Sequence, residues 1–108
     1  MLEKAVETGM LYDYYSGLLT DKQRQIMELR LVEDLSLAEI AEQLSISRQA
    51  VHDAIQRTTQ QLFDYEDKLG LVKIGHLRNA KLQVLESRLR EKGCLSEDVG
   101  KLITELMD

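Results

Sequence analysis

Six side chains within one short stretch, Ser47, Arg48, Gln49, His52, Gln56 and Arg57, have the types and spacing for a specific chemistry. That chemistry is recognition. Arg48, Gln49, Gln56 and Arg57 are credible contacts to bases or phosphates. On a helix, Arg48, Gln49, His52, Asp53, Gln56 and Arg57 turn more or less outward while Val51 and Ile55 point back to a core. Ser47 is the expected N-cap, its hydroxyl accepting from the amide of Gln49 or Ala50. Such a helix is what a helix-turn-helix unit lays against a DNA groove. Asp53 is the discordant member. It repels phosphate, although a carboxylate can accept from a cytosine amine.

No comparable case exists for catalysis. The chain has no phosphate-binding glycine loop, no paired cysteines and no His-x-x-x-His spacing. His52 belongs to the outward face above, His76 stands alone after a glycine, and Cys94 has no histidine or acid at a motif spacing. An enzyme is not expected, and neither is a metal or a cofactor.

The elements that must position the recognition stretch can be read on either side of it. Ser36-x-x-Glu39 is a capping box that starts a first helix, in which Ile40 and Leu44 share a face and Ala41 admits a close neighbour. Ser45 and Ile46 make the turn, with Ile46 tucked beneath it. The plainer reading of this pair is a well-capped stretch of an all-α domain; the sharper one is a helix-turn-helix. Upstream, Thr20-x-x-Gln23 opens a supporting helix from Asp21 to about Glu33, burying Ile26, Met27, Leu29 or the Arg30 stem, and Leu31. Glu33-Asp34 is an acidic connector. Residues 2–18 predict an amphipathic helix on Leu2, Val6, Leu11, Tyr14, Tyr15 and Leu18, broken by Gly9. The Tyr12, Tyr14 and Tyr15 cluster is either a stacking platform or a core wedge with hydroxyls reaching solvent. No basic residue interleaves with it, which favours packing.

The second helix runs on through Val51, Ile55, Leu62, Tyr65 and Leu69 to about Lys68, where Gly70 stops it. Its distal half, Gln60 to Lys68, must pack on something: the C-terminal region or a second subunit, which makes a homodimer plausible. A further helix spans Leu71 to about Lys92, with Ile74, Leu77, Val84, Leu85 and Leu89 on one side. Lys73, Arg78, Lys81, Arg88, Arg90 and Lys92 on it outnumber Glu86 and Glu91, and form either a solvated face or a surface for RNA or an acidic partner. Gly93 closes it. Ser96, Glu97 and Asp98 open a last helix to about Met107, striped by Val99, Leu102, Ile103 and Leu106. The expectation is all-α, about six helices: a helix-turn-helix domain over 1–70 and a helical extension over 71–108 that packs on it.

Composition narrows the partners. The 108 residues carry 14 basic and 19 acidic side chains, a net charge of −5, and no proline. Residues 1–69 hold 7 basic and 13 acidic groups, while 70–108 hold 7 and 6. The helix-turn-helix half is thus the acidic one, which weakens the case for DNA without removing it, because local patches dominate at groove distances. No apolar run approaches a membrane span or a signal peptide. A single cysteine rules out an internal disulfide, and the cytoplasm is the expected location.

The blocks Leu11-Tyr-Asp-Tyr-Tyr-Ser-Gly-Leu-Leu-Thr-Asp-Lys-Gln, Ser36-Leu-Ala-Glu-Ile-Ala and Ser47-Arg-Gln-Ala-Val-His-Asp-Ala-Ile-Gln-Arg resemble the YlxM family, small bacterial helix-turn-helix proteins encoded beside the signal recognition particle GTPase. The likeness covers roughly residues 6–70. The helix-turn-helix portion is also similar to promoter-reading region 4 of sigma factors, a three-helical core without a wing. The resemblance implies a cytoplasmic regulatory protein linked to the signal recognition particle pathway, either through DNA or by binding the particle's GTPase or RNA. Ser47, Arg48, Gln49 and Ala50 stand as the sigma-type motif would have them; His52 and Asp53 depart from it.

Overall fold

The computed structural model describes residues 2–107, with side chains from Ala5 onward. Among these residues there are six α-helices and no strand: α1 (Leu2–Tyr15), α2 (Asp21–Leu31), α3 (Leu37–Leu44), α4 (Arg48–Leu69), α5 (Leu71–Glu91) and α6 (Glu97–Leu106), with a 3-10 turn at Ser16–Leu18 after α1. The chain divides into two units, one ending at Leu69 and one beginning at Gly70.

In the first unit the helix starts are set by local chemistry. Thr20 Oγ1 accepts from the Gln23 amide (3.2 Å) while Gln23 Oε1 accepts from the Thr20 amide (2.9 Å). Ser36 and Glu39 repeat this reciprocal pair at 3.1 and 3.0 Å. These bonds hold the Glu39 carboxyl below its ordinary range. The α3–α4 turn depends on Ser45, which adopts a left-handed conformation (φ 57°) at a cost of roughly 1 kcal/mol for a residue with a Cβ. In return the Ile46 amide reaches the Ala41 carbonyl at 3.1 Å and closes the end of α3. Leu29, Ile40, Ala41 and Val51 form the core under this turn, with Leu35, Leu37, Leu44, Ile46 and Ile55 packed around them.

The distal half of α4 packs on α1 through Tyr65 and Glu66, a cover other than the two expected for it. The Tyr15 ring lies 5.9 Å from that of Tyr65, and its hydroxyl donates to Glu66 Oε1 at 2.6 Å. Tyr12 is also buried and donates to Glu28 Oε1 at 2.9 Å. Two tyrosines are therefore core wedges, but their hydroxyls bond to carboxylates rather than reaching only solvent. α1 continues through Gly9 without a break. Thr8, Leu11, Tyr12 and Tyr15 are its buried residues, whereas Val6 and, in the following 3-10 turn, Leu18 are exposed; the Leu2 side chain lies outside the described residues. The α1 stripe is rotated from the expected one because Thr8 and Tyr12 carry polar atoms that a hydrophobicity pattern discounts. α2 ends at Leu31, two residues early, because the Asp34 backbone turns left-handed (φ 56°). Leu29, not Arg30, is the buried member of its ambiguous pair.

Burial, helped by the bond to Glu28, pushes the Tyr12 phenol up to about 12. A folded value above the unfolded one near 10 means its contribution is complete below pH ~10 and lost as pH rises through about 12. The stability gap between wild type and Tyr12→Phe should accordingly shrink across that window in urea melts. A gap that stays constant from pH 9 to 12 would contradict the assignment.

In the second unit, Gly70 (φ 62°) precedes α5 and Gly93 (φ 69°) follows it, both in the left-handed region. Ser96 Oγ accepts from the Val99 amide at 3.2 Å to start α6, and α5 packs with α6. The packing side of α5 differs from expectation. Val72 and Gly75 are buried and Leu82 and Leu89 half-buried, while Ile74, Leu77, Val84 and Leu85 are exposed. On α6, Ile103 is buried, but Leu102 and Leu106 are exposed. α5 is apolar on more than one side, so periodicity alone could not choose its inner face. Lys92 lies just beyond α5, at its C-cap. No helix among the described residues is long and apolar enough to cross a membrane.

Candidate nucleic-acid interface

Ser47 ends the turn and caps α4: its Oγ accepts from the Ala50 amide at 3.0 Å, and its carbonyl from the Val51 amide at 3.1 Å. Val51, fully buried, anchors the helix to the core and thereby sets its rotation. With about 3.6 residues per turn, that rotation puts Gln49, Asp53 and Gln56 along one outward line, which Gln60 and Asp64 continue toward the distal half. Arg48 and His52 lie on one flank of this line and Arg57 on the other. All of Ser47, Arg48, Gln49, His52, Asp53, Gln56 and Arg57 are exposed. Neither Arg48 nor Arg57 enters an ion pair among the described residues.

Two features go beyond the sequence reading, the first of them signalled by its i, i+4 spacing. Gln49 Nε2 donates to Asp53 Oδ1 at 2.9 Å, so the acid is coupled to a neighbour one turn away. Further, Arg57 and Lys22, from the first turn of α2, line one pocket of 310 Å³ whose apolar walls include Ile26, Ile46, Ala50 and Ala54. Lys22 therefore adds a cation to the Arg57 flank. Its position directly behind the Thr20 cap was legible, but its approach to α4 depends on how the helices cross.

The basic residues of α5 are only partly gathered. Arg78, Lys81 and Arg88 fall on one side by helical spacing, the side that also carries the exposed Leu77, Val84 and Leu85. Lys73 lies to one side of them and Lys92 beyond the helix. Arg90 projects elsewhere and donates to Glu86 at 2.7 Å. Cys94 is exposed, and among the described residues no three His, Cys, Asp or Glu side chains are placed to hold a metal ion.

Residues 2–102 match the model of the UPF0122 family, described as "Putative helix-turn-helix protein, YlxM / p13 like". A UPF0122 protein of Anoxybacillus flavithermus is 45% identical over 106 residues, covering 98% of this chain and 96% of its own. One from Geobacillus kaustophilus is 42% identical over the same length and coverage, and one from Listeria welshimeri is 40% identical. The match spans both units, well past the block of motifs around the turn. The chain belongs to the UPF0122 family of YlxM / p13 like helix-turn-helix proteins.

Proposed function

We propose that this protein is a DNA-binding regulator that inserts the first half of α4 into the major groove. The observation that carries this reading is the cross-section of α4: a central line of amide and carboxylate groups at Gln49, Asp53 and Gln56, with Arg48 and His52 on one flank and Arg57 with Lys22 on the other. A helix lying in a groove meets base edges along its centre and phosphate backbones along its flanks. With so few flanking cations on an acidic unit, binding is weak and is best seen at low salt, with a shallow salt slope. Fluorescence anisotropy with duplex DNA at several salt concentrations tests this. Arg48→Ala and Arg57→Ala should each reduce the slope of log affinity against log salt by about 0.9. No duplex binding by wild type at low salt would defeat the reading.

A second reading places the protein as an accessory factor of the signal recognition particle, touching its RNA or GTPase through α5. It is supported by the contrast in charge between the units and by Arg78, Lys81 and Arg88 sharing one exposed side. Purification of tagged protein from its own cells, with DNase or with RNase, separates the two readings. RNA that survives DNase and is lost in an Arg88→Glu, Lys81→Glu variant supports the second; defined DNA fragments support the first.

A further inference from the structure

The acid in the middle of a proposed DNA-reading face needs a role, since Asp53 repels the backbone that Arg48 and Arg57 attract. Its geometry supplies one. The Gln49 amide nitrogen carries two hydrogens, and one is taken by Asp53 Oδ1 at 2.9 Å. A carboxylate can only accept, so the nitrogen, not the oxygen, of Gln49 must face it. A free glutamine amide can turn over and present either end. Held by Asp53, Gln49 is limited to one orientation, with Oε1 and the second N–H available to a ligand.

That remaining pair, one acceptor beside one donor, is the complement of the adenine major-groove edge, which offers an N6 amine beside the N7 acceptor. Guanine offers two acceptors there and would leave Gln49 Oε1 facing an oxygen. We propose that Asp53 is a positioning residue that fixes the Gln49 amide for adenine, exchanging some affinity for the phosphate backbone for selectivity at one base pair. This rests on the reading of α4 as a groove-facing helix. The same helix holds an internal control: Gln60 Nε2 donates to Asp64 Oδ1 at 3.1 Å, an equivalent pair in the distal half. Recognition helices meet bases near their N-termini, so the Gln60–Asp64 pair lies too far along to read sequence.

The test is selection of full-length protein on a pool of randomised duplexes at low salt, with base preferences read by sequencing and total affinity by anisotropy. Wild type is expected to favour adenine at one position by roughly 5- to 100-fold. Gln49→Ala should erase that preference. Asp53→Ala should reduce it below about threefold while total duplex affinity rises. Asp53→Asn, whose amide oxygen can still accept from Gln49, should keep the preference and also raise affinity. Asp64→Ala should leave the preference unchanged. Circular dichroism guards against unfolding, which is not expected at an exposed position. An adenine preference intact in Asp53→Ala overturns the proposal while leaving DNA binding standing, as does loss of a cytosine preference in its place. Absence of duplex binding by wild type overturns both together.

Discussion

Ile40→Ala is expected to destabilise the protein by about 2–5 kcal/mol, the range for truncating a buried isoleucine. Ile40 is 0% exposed and belongs with Leu29, Ala41 and Val51 to the core beneath the α3–α4 turn. Two effects add. The lost methylene and methyl groups forfeit their transfer free energy, and the space they leave is bordered by α2, α3 and α4, which are locked by capping bonds and close only partly. The loss is large against the ~5–15 kcal/mol total typical of a domain. Urea unfolding followed by circular dichroism should show a lower midpoint with an unchanged slope. Val32→Ala, at 66% exposed, should change stability by less than about 0.5 kcal/mol. Comparable losses in the two variants would mean that the core does not lie where it is described.

Tyr15→Ala is expected to cost about 3–5 kcal/mol, the range for removing a buried aromatic ring. Tyr15 is 1% exposed and joins α1 to the distal half of α4. Its contribution divides into a ring and a hydroxyl. The ring packs at 5.9 Å from Tyr65, a tilted pair worth about 0.5–1.5 kcal/mol beyond the area it buries. The hydroxyl makes a short bond to the Glu66 carboxylate at 2.6 Å, charge-assisted and hence stronger than a neutral one. Tyr15→Phe keeps the ring and removes the bond, and should cost about 1.5–3 kcal/mol. A double-mutant cycle of Tyr15→Phe with Glu66→Ala isolates the pair. A coupling of about 1 kcal/mol or more is expected, and one indistinguishable from zero would reduce the contact to simple packing. Because the bond joins α1 to α4, the Ala variant should also loosen the far end of α4, seen as faster amide exchange near Tyr65.

The reach of the sequence follows from the range of the forces involved. Helix starts were legible at Thr20, Ser36, Ser47 and Ser96 because a cap is a bond between residues two or three apart, wholly contained in local sequence. The all-helical class and the order of the turn around Ser45 were legible for the same reason, as was the outward set on α4, since Val51 marks its inner side. The tertiary structure decided what depends on which element packs against which. α5 could bury either of two apolar sides, and only its packing selected Val72 and Leu82 over Ile74 and Leu77. The distal half of α4 needed a cover, but Glu66 lies 51 residues beyond Tyr15, its partner on α1, and no periodicity records that contact. Lys22 reaches the Arg57 flank only because α2 crosses α4. A pattern read along the chain tells each helix which faces are apolar; the burial that selects among them is a property of the pair.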